Sequence, residues 1–174
     1  EIWISPDDLV YTGKATFTWP DGRVYRGSFN NGQPSGVGRE ELPNGETYDG
    51  RWLDGKRHGH GALDLPDGTQ YVGAFEAGNR HGLGHHQSPN GSYTGLWVMD
   101  TPHGHGEFRY NDGATYIGEW REGRQDGEGI YFHPKGDRYD GEWRQGVPHG
   151  HGTMNEPNGE SYTGELFSGA RAGY

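Results

Sequence analysis

Residues 48 to 61 read Tyr48-Asp49-Gly50-Arg51-Trp52-Leu53-Asp54-Gly55-Lys56-Arg57-His58-Gly59-His60-Gly61. Tyrosine, glycine and tryptophan stand two residues apart, so on an extended strand all three point to one face. The same order recurs along the whole chain. Tyr25, Tyr48, Tyr71, Tyr93, Tyr116, Tyr139 and Tyr162 are spaced 23, 23, 22, 23, 23 and 23 residues apart. Counting each tyrosine as position 0, glycine stands at position 2 and a large apolar residue at position 4: Phe29, Trp52, Phe75, Trp97, Trp120, Trp143 and Leu166. A glycine pair follows at positions 11 and 13. The first six units close on a turn with glycine at position 20, such as Asn44-Gly45 or Asp112-Gly113.

This periodicity resolves a conflict in the composition. Only 29% of the 174 residues are hydrophobic, and 34 are Gly and 10 Pro, a content that without a period belongs to disordered chains. Yet six Trp, eleven Tyr and six Phe are present, and disordered chains are poor in aromatics. Regularly placed glycines reconcile the two, because they identify a repeat architecture.

A first turn centred between positions 7 and 8 would set position 4 opposite 11, 2 opposite 13, and 0 opposite 15. Each Trp or Phe then faces a glycine of its own hairpin, and tyrosine faces Leu63, Phe108, Tyr131 or Met154. In that arrangement Gly127 lies opposite Trp120. The rings lie over bare backbone, which explains glycines that are otherwise costly in strands. The second turn, Pro-Asp/Asn-Gly in several units, suits a three-residue hairpin loop with its glycine left-handed. Repeating both turns predicts an all-β, elongated, single-layer antiparallel meander. At about 4.8 Å per strand, some 14 or 15 strands would run roughly 70 Å, stabilised by nearest-neighbour stacking.

The run from Tyr48 to Gly61 closely resembles the MORN (membrane occupation and recognition nexus) repeat. The resemblance covers nearly the whole chain: residues 1–24 form an N-terminal segment with a half repeat between Tyr11 and Gly22, and residues 25–174 the tandem repeats beginning at the seven tyrosines. The chain begins at Glu1 rather than Met and Gly173 starts a further glycine pair, so the array is expected to continue beyond at least one end. Asp100 stands where other units have glycine, Leu166 replaces the aromatic, and only Ser92 separates Gly91 from Tyr93. A local bend or altered twist is expected near residues 91–100.

Three surfaces are candidates for function. The first is the aromatic face, with Tyr48, Trp52, Tyr71, Phe75, Tyr93, Trp97, Tyr116, Trp120, Tyr139 and Trp143. A ring there serves as core in the plainest reading, but a one-layer sheet also leaves an aromatic-floored groove for a peptide or helix. The second is the opposite face, where Val72, Leu83, Leu96 and Ile117 are apolar while neighbouring units place charge. That run reads either as tolerance of small apolar residues or as a self-association patch that would make a homodimer. The third is histidine. His-Gly-His-Gly occurs at 58–61, 103–106 and 149–152. Two imidazoles at i and i+2 on one strand can share zinc, and the expected pairing sets Glu142 opposite His151. His149, His151 and Glu142 are the preferred set, with His103 and His105 next. The competing reading is that the first histidine of each pair belongs to the repeat and needs no metal. No other cofactor is indicated.

Several classes are disfavoured. With no cysteine there is neither a disulfide framework nor a thiolate nucleophile or metal ligand. No phosphate loop or Gly-x-Ser-x-Gly is present, and Asn90-Gly91-Ser92 reads as a turn rather than a glycosylation site. A formal charge of −10 opposes binding to nucleic acid and to anionic lipid. The sequence therefore reads as a non-enzymatic protein-interaction scaffold. The MORN resemblance implies a cytoplasmic setting in a cytoskeletal or membrane-associated assembly. Its alternatives are a phosphoinositide-binding module, or a regulatory array attached to a catalytic domain outside this chain.

Overall fold

The computed structural model describes residues 11–171, so Gly173 and its expected glycine pair lie outside the described residues. These residues fold without a helix as an antiparallel single-layer sheet whose 15 strands are hydrogen-bonded in chain order. The chain divides into two compact units, residues 1–84 and 85–174. The first unit contains β1 (Gly13–Thr18), β2 (Val24–Asn30), β3 (Gln33–Glu41), β4 (Thr47–Leu53), β5 (Lys56–Asp64) and β6 (Gln70–Glu76). Strand β7 (Asn79–Ser88) carries the chain into the second. That unit continues with β8 (Gly91–Val98), β9 (Thr101–Tyr110), β10 (Thr115–Arg121), β11 (Arg124–Phe132), β12 (Arg138–Arg144), β13 (Val147–Asn155), β14 (Ser161–Phe167) and β15 (Ala170–Arg171).

Two kinds of turn alternate. Two-residue turns such as Asp54-Gly55 and Glu122-Gly123 have both residues at positive φ, 47° and 75° in the first and 52° and 77° in the second. That is the mirror-image turn whose twist matches paired strands. The turn is thus centred between positions 6 and 7, one residue earlier than the sequence spacing suggests. The other turn is the three-residue loop expected: in Leu42–Glu46 the Leu42 N–H donates to Glu46 O at 2.8 Å and Gly45 N–H to Leu42 O at 3.0 Å. Asx caps brace it, as where Asn44 Oδ1 accepts from Glu46 N–H and Asp112 Oδ1 from Ala114 N–H, both at 2.9 Å.

The register corrects one expectation. Tyr116 pairs with Tyr131 and Gly118 with Gly129, but Trp120 then pairs with Gln125 across a β-bulge rather than with Gly127. The glycine opposite each large ring comes instead from the preceding repeat: Gly36 for Trp52, Gly104 for Trp120 and Gly127 for Trp143. The extra residues of the bulge are accommodated at position 11, where Gly127 has φ 108°, a conformation that side chains disfavour.

Each tyrosine lies over its own glycine pair; a Cβ on either Gly118 or Gly129 would overlap the Tyr116 ring. The rings then interlock edge to face. Tyr48 meets Trp52 of its own repeat at 5.2 Å between centroids and Phe75 of the next at 5.0 Å, and Tyr116 meets Trp120 at 5.3 Å and Trp143 at 4.9 Å. Contacts of this geometry add about 0.5–1.5 kcal/mol beyond the area they bury. Polar edges are satisfied locally: Tyr48 Oη donates to Arg51 O at 2.9 Å, and Trp52 Nε1 donates to Gly38 O at 3.1 Å. The turn glycine N–H reaches back one repeat as well, Gly55 to Pro34 O and Gly146 to Gln125 O. The repeats of Trp52, Trp120 and Trp143 are therefore each fastened to the preceding one by ring packing, an indole hydrogen bond and a backbone hydrogen bond.

The irregular stretch at 91–100 has a local form. The missing residue shortens the loop, with Ser88 Oγ accepting from Asn90 N–H at 3.3 Å and donating to Gly91 O at 3.2 Å. Met99 and Asp100 then occupy the two-residue turn at φ 48° and 65° without any glycine.

Candidate functional site

All ten aromatic-face residues predicted to meet a partner are core: Tyr48, Trp52, Tyr71, Phe75, Tyr93, Trp97, Tyr116, Trp120, Tyr139 and Trp143 each expose 8% or less of their surface. Burial pushes the Tyr48, Tyr93 and Tyr139 phenols up to about 12. The rings shape the face, but the side chains at positions 9 and 15 of each repeat present it to solvent. The residues at position 9 escape a reading from sequence because the bulge brings them opposite the tryptophan unannounced.

These outer positions differ between the two units. In the first, Arg57 and Arg80 lie over the Tyr48 and Tyr71 rings, with the guanidinium carbon 4.9 and 5.7 Å from the ring centroids. Arg57 Nη2 reaches Glu46 Oε1 at 2.7 Å and the buried Glu40 Oε2 at 3.1 Å, and Arg23 Nη1 approaches Glu40 Oε1 at 3.4 Å. Charge thus covers the aromatic floor there. A buried carboxylate of this kind is tolerable because two guanidinia flank it.

In the repeats of Tyr93, Tyr116 and Tyr139 the same positions carry Pro102, Gln125 and Pro148, as Pro34 does in the first repeat, with Phe108, Tyr131 and Met154 across from the tyrosines, and arginine returns only with Arg171 over Tyr162. Here a cleft of about 710 Å³ is lined by Tyr110, Tyr131, Tyr139, Trp143, Pro148 and Met154. Gln125 Nε2 donates to Tyr110 Oη at 2.8 Å, bracing one wall. Asp112, Asp137 and Glu156 stand on its rim. Burial raises the Tyr131 phenol, and the nearby Asp112 carboxylate, Tyr110 and the Asp137 carboxylate raise it further.

The opposite face places its predicted residues in solvent. Val72 and Leu83 are 57% and 68% exposed in the first unit, and Leu96 and Ile117 are 40% and 46% exposed in the second. Ile117 sits between Glu107 and Ile130 of the flanking strands. Leu96 leans against Gly104, where a Cβ would lie 3.0 Å from its Cδ1.

The predicted histidine sets are not drawn together. His151 pairs with Glu165 rather than Glu142, because the bulge displaces the register between Gly141 and Trp143. Glu142 Oε1 is occupied by the His151 backbone N–H at 2.9 Å, and the His149 ring packs on Phe167 with centroids 5.3 Å apart. His103 pairs with Leu96 and His105 with Glu119. Among the described residues no three His, Asp or Glu side chains gather into a metal-holding group. No helix among them is long and apolar enough to cross a membrane.

No curated protein sequence matches this chain. Among solved structures, the TCP10 domain of Danio rerio CPAP, solved with a peptide of Danio rerio STIL, is similar at 16% identity and a TM-score of 0.38, over 87% of this chain and 68% of that one. The SAS-4 (dCPAP) TCP domain of Drosophila melanogaster, solved with a proline-rich motif of Ana2 (dSTIL), is similar at 15% identity and a TM-score of 0.24, over 88% and 90% of the two chains. The G-box domain of the microcephaly protein CPAP shares 12% identity at a TM-score of 0.36, over 89% and 100%. The family comparison is far more direct. The MORN repeat profile matches residues 10–22, 25–47, 48–70, 71–92, 93–115, 116–138 and 139–161, with boundaries at the very tyrosines whose rings cap the glycine pairs. The chain belongs to the MORN repeat family.

Proposed function

We propose that this chain is a protein-interaction scaffold without catalysis of its own, holding a peptide or helix of a partner on the aromatic face of its second unit. One observation carries the reading. Arginines lie over Tyr48 and Tyr71, whereas the repeat of Tyr139 carries Pro148 in that place, beside a cleft of about 710 Å³ walled by apolar side chains. An uncovered apolar cleft with a polar rim is the usual form of a protein-binding surface. The rigid repeat would supply a preorganised platform, so that only the partner loses freedom on binding. The formal charge of −10 favours protein over anionic membrane as the object held. We place the scaffold in a cytoskeletal or membrane-associated assembly, as the family resemblance implies.

Affinity capture with three forms of the chain tests the reading. Wild type and a back-face variant, Val72→Glu, are expected to retain the same proteins, and Met154→Asp, which charges the cleft, is expected to lose them. Identical profiles from all three would contradict the assignment of the cleft as the docking surface.

A further inference from the structure

The repeat contains its own template for what the cleft accepts. In the repeat of Tyr48, position 9 is Arg57. Its guanidinium lies 4.9 Å from the Tyr48 ring centroid, and its Nη2 is 2.7 Å from Glu46, at position 21 of the preceding repeat. A ring, a guanidinium and a carboxylate also meet at Tyr162, where Arg171 lies 5.0 Å from the ring centroid and its Nη2 is 2.7 Å from Glu156, which stands at position 17 of the preceding repeat rather than 21. In the repeat of Tyr139 the arginine is replaced by Pro148, yet the other members remain: Tyr139 is the ring, Asp137 stands at position 21 of the preceding repeat, and Tyr131 occupies the place of Glu40. All of these line the one cleft.

The carboxylate is therefore kept while its guanidinium is missing. Asp137 is half exposed, and among the described residues no Arg or Lys pairs with it; the His133 Nδ1 lies 3.2 Å away and accepts the Lys135 N–H at 3.3 Å. The adjacent Arg138, which also lines the cleft, is engaged by Asp140 at 2.5 Å. Asp112 on the opposite rim spends one oxygen on the Ala114 N–H. The pocket so formed has an aromatic floor, three carboxylates on its rim, of which Glu156 is held by Arg171, and no guanidinium above the Tyr139 ring.

We propose that the partner supplies the missing group: the cleft takes a peptide bearing an arginine flanked by apolar residues, its guanidinium stacked over Tyr139 and hydrogen-bonded to Asp137. Arginine fits better than lysine because its planar fork stacks on a ring while donating to a carboxylate. The flanking apolar residues rest on Tyr131, Met154 and Pro148. This specificity rests on the docking reading given above, and fails separately from it.

The probe is a random-peptide display library selected on the immobilised chain. Enriched peptides are expected to share an arginine beside apolar residues. Replacing that arginine by citrulline or lysine should weaken the best peptide by about tenfold or more. Asp137→Asn should do the same. Pro148→Arg should too, because it installs the chain's own guanidinium over Tyr139; the backbone permits it, since the carbonyls of Arg57 and Pro148 accept equivalent turn N–H bonds, each at 2.9 Å. Should Pro148→Arg fail to fold, Asp137→Asn and the citrulline peptide still decide. Enriched peptides that lack arginine, or that bind all variants alike, overturn this inference and leave the docking surface standing. A library that yields no binder overturns both.

Discussion

A tyrosine lying on a bare glycine pair is the unit from which everything else follows, and it admits no methyl group. A Cβ at Gly129 would overlap the Tyr116 ring, which cannot retreat because Trp120 and Trp143 hold it at 5.3 and 4.9 Å and its hydroxyl donates to Glu119 O at 2.9 Å. Gly129→Ala is therefore expected to destabilise the chain by about 1–3 kcal/mol, the usual cost of overpacking, read as a lower urea midpoint. An unchanged midpoint would mean that the ring does not rest there. Gly127→Val is a poorer test, since at φ 108° it fails for backbone reasons and meets Glu119 rather than a ring. The parity of Tyr, Gly and Trp made the aromatic face legible in the sequence, and Gly118 opposite Gly129 could be read from spacing. The partner of the tryptophan could not, because a bulge leaves no mark beyond a glycine that already has another explanation.

Hairpins set the register, and their turns differ in quality. The turns of the other repeats place glycine second, whereas the turn at Met99-Asp100 holds two side-chain-bearing residues at φ 48° and 65°. Left-handed backbone costs an ordinary residue about 1–2 kcal/mol. The double variant Met99→Asn, Asp100→Gly supplies the favoured pair for this turn and is expected to stabilise the chain by about 1 kcal/mol, seen as a raised melting temperature. A lowered one would show that Met99 or Asp100 earns its place through contacts instead. The Pro-Asp-Gly loops were readable from sequence because each residue has its own steric or hydrogen-bonding reason to be there. The two-residue turns were placed one residue late because the extra residues of the bulge hide the symmetry of the hairpin.

Across the whole chain, the ring stack makes stability depend on tyrosine protonation. The Tyr25, Tyr48, Tyr93 and Tyr139 phenols are raised by burial from an ordinary 10 to about 12. The folded chain thus keeps protons that the unfolded chain releases above pH 10. Stability is full below pH 10 and is lost between pH 10 and about 12. Ultraviolet titration should show the buried tyrosines ionising together with loss of the β-sheet circular dichroism signal. Independent ionisation of these phenols near pH 10 with the sheet intact would contradict their burial.

The opposite face carries a separate expectation, since the Leu96 and Ile117 side chains are exposed. We propose self-association through it. A Leu96→Glu, Ile117→Lys variant should keep its stability within about 0.5 kcal/mol of wild type, as surface changes usually do, and sediment as a smaller species than wild type. Equal sedimentation would remove that face from consideration. What the sequence could not convey is which aromatic surface is open. That depends on whether position 9 holds arginine or proline, and position 9 meets the ring only through the bulge.

Which face meets a partner can be measured in one paired experiment. A photo-crosslinking phenylalanine analogue is placed at Tyr131 in the cleft or at Ile117 on the back, and each form is irradiated with the partner recovered by affinity capture. Adducts with the captured partner from position 131, and none with it from position 117, are the result expected. Adducts from 117 alone would show that the aromatic cleft is core and nothing more.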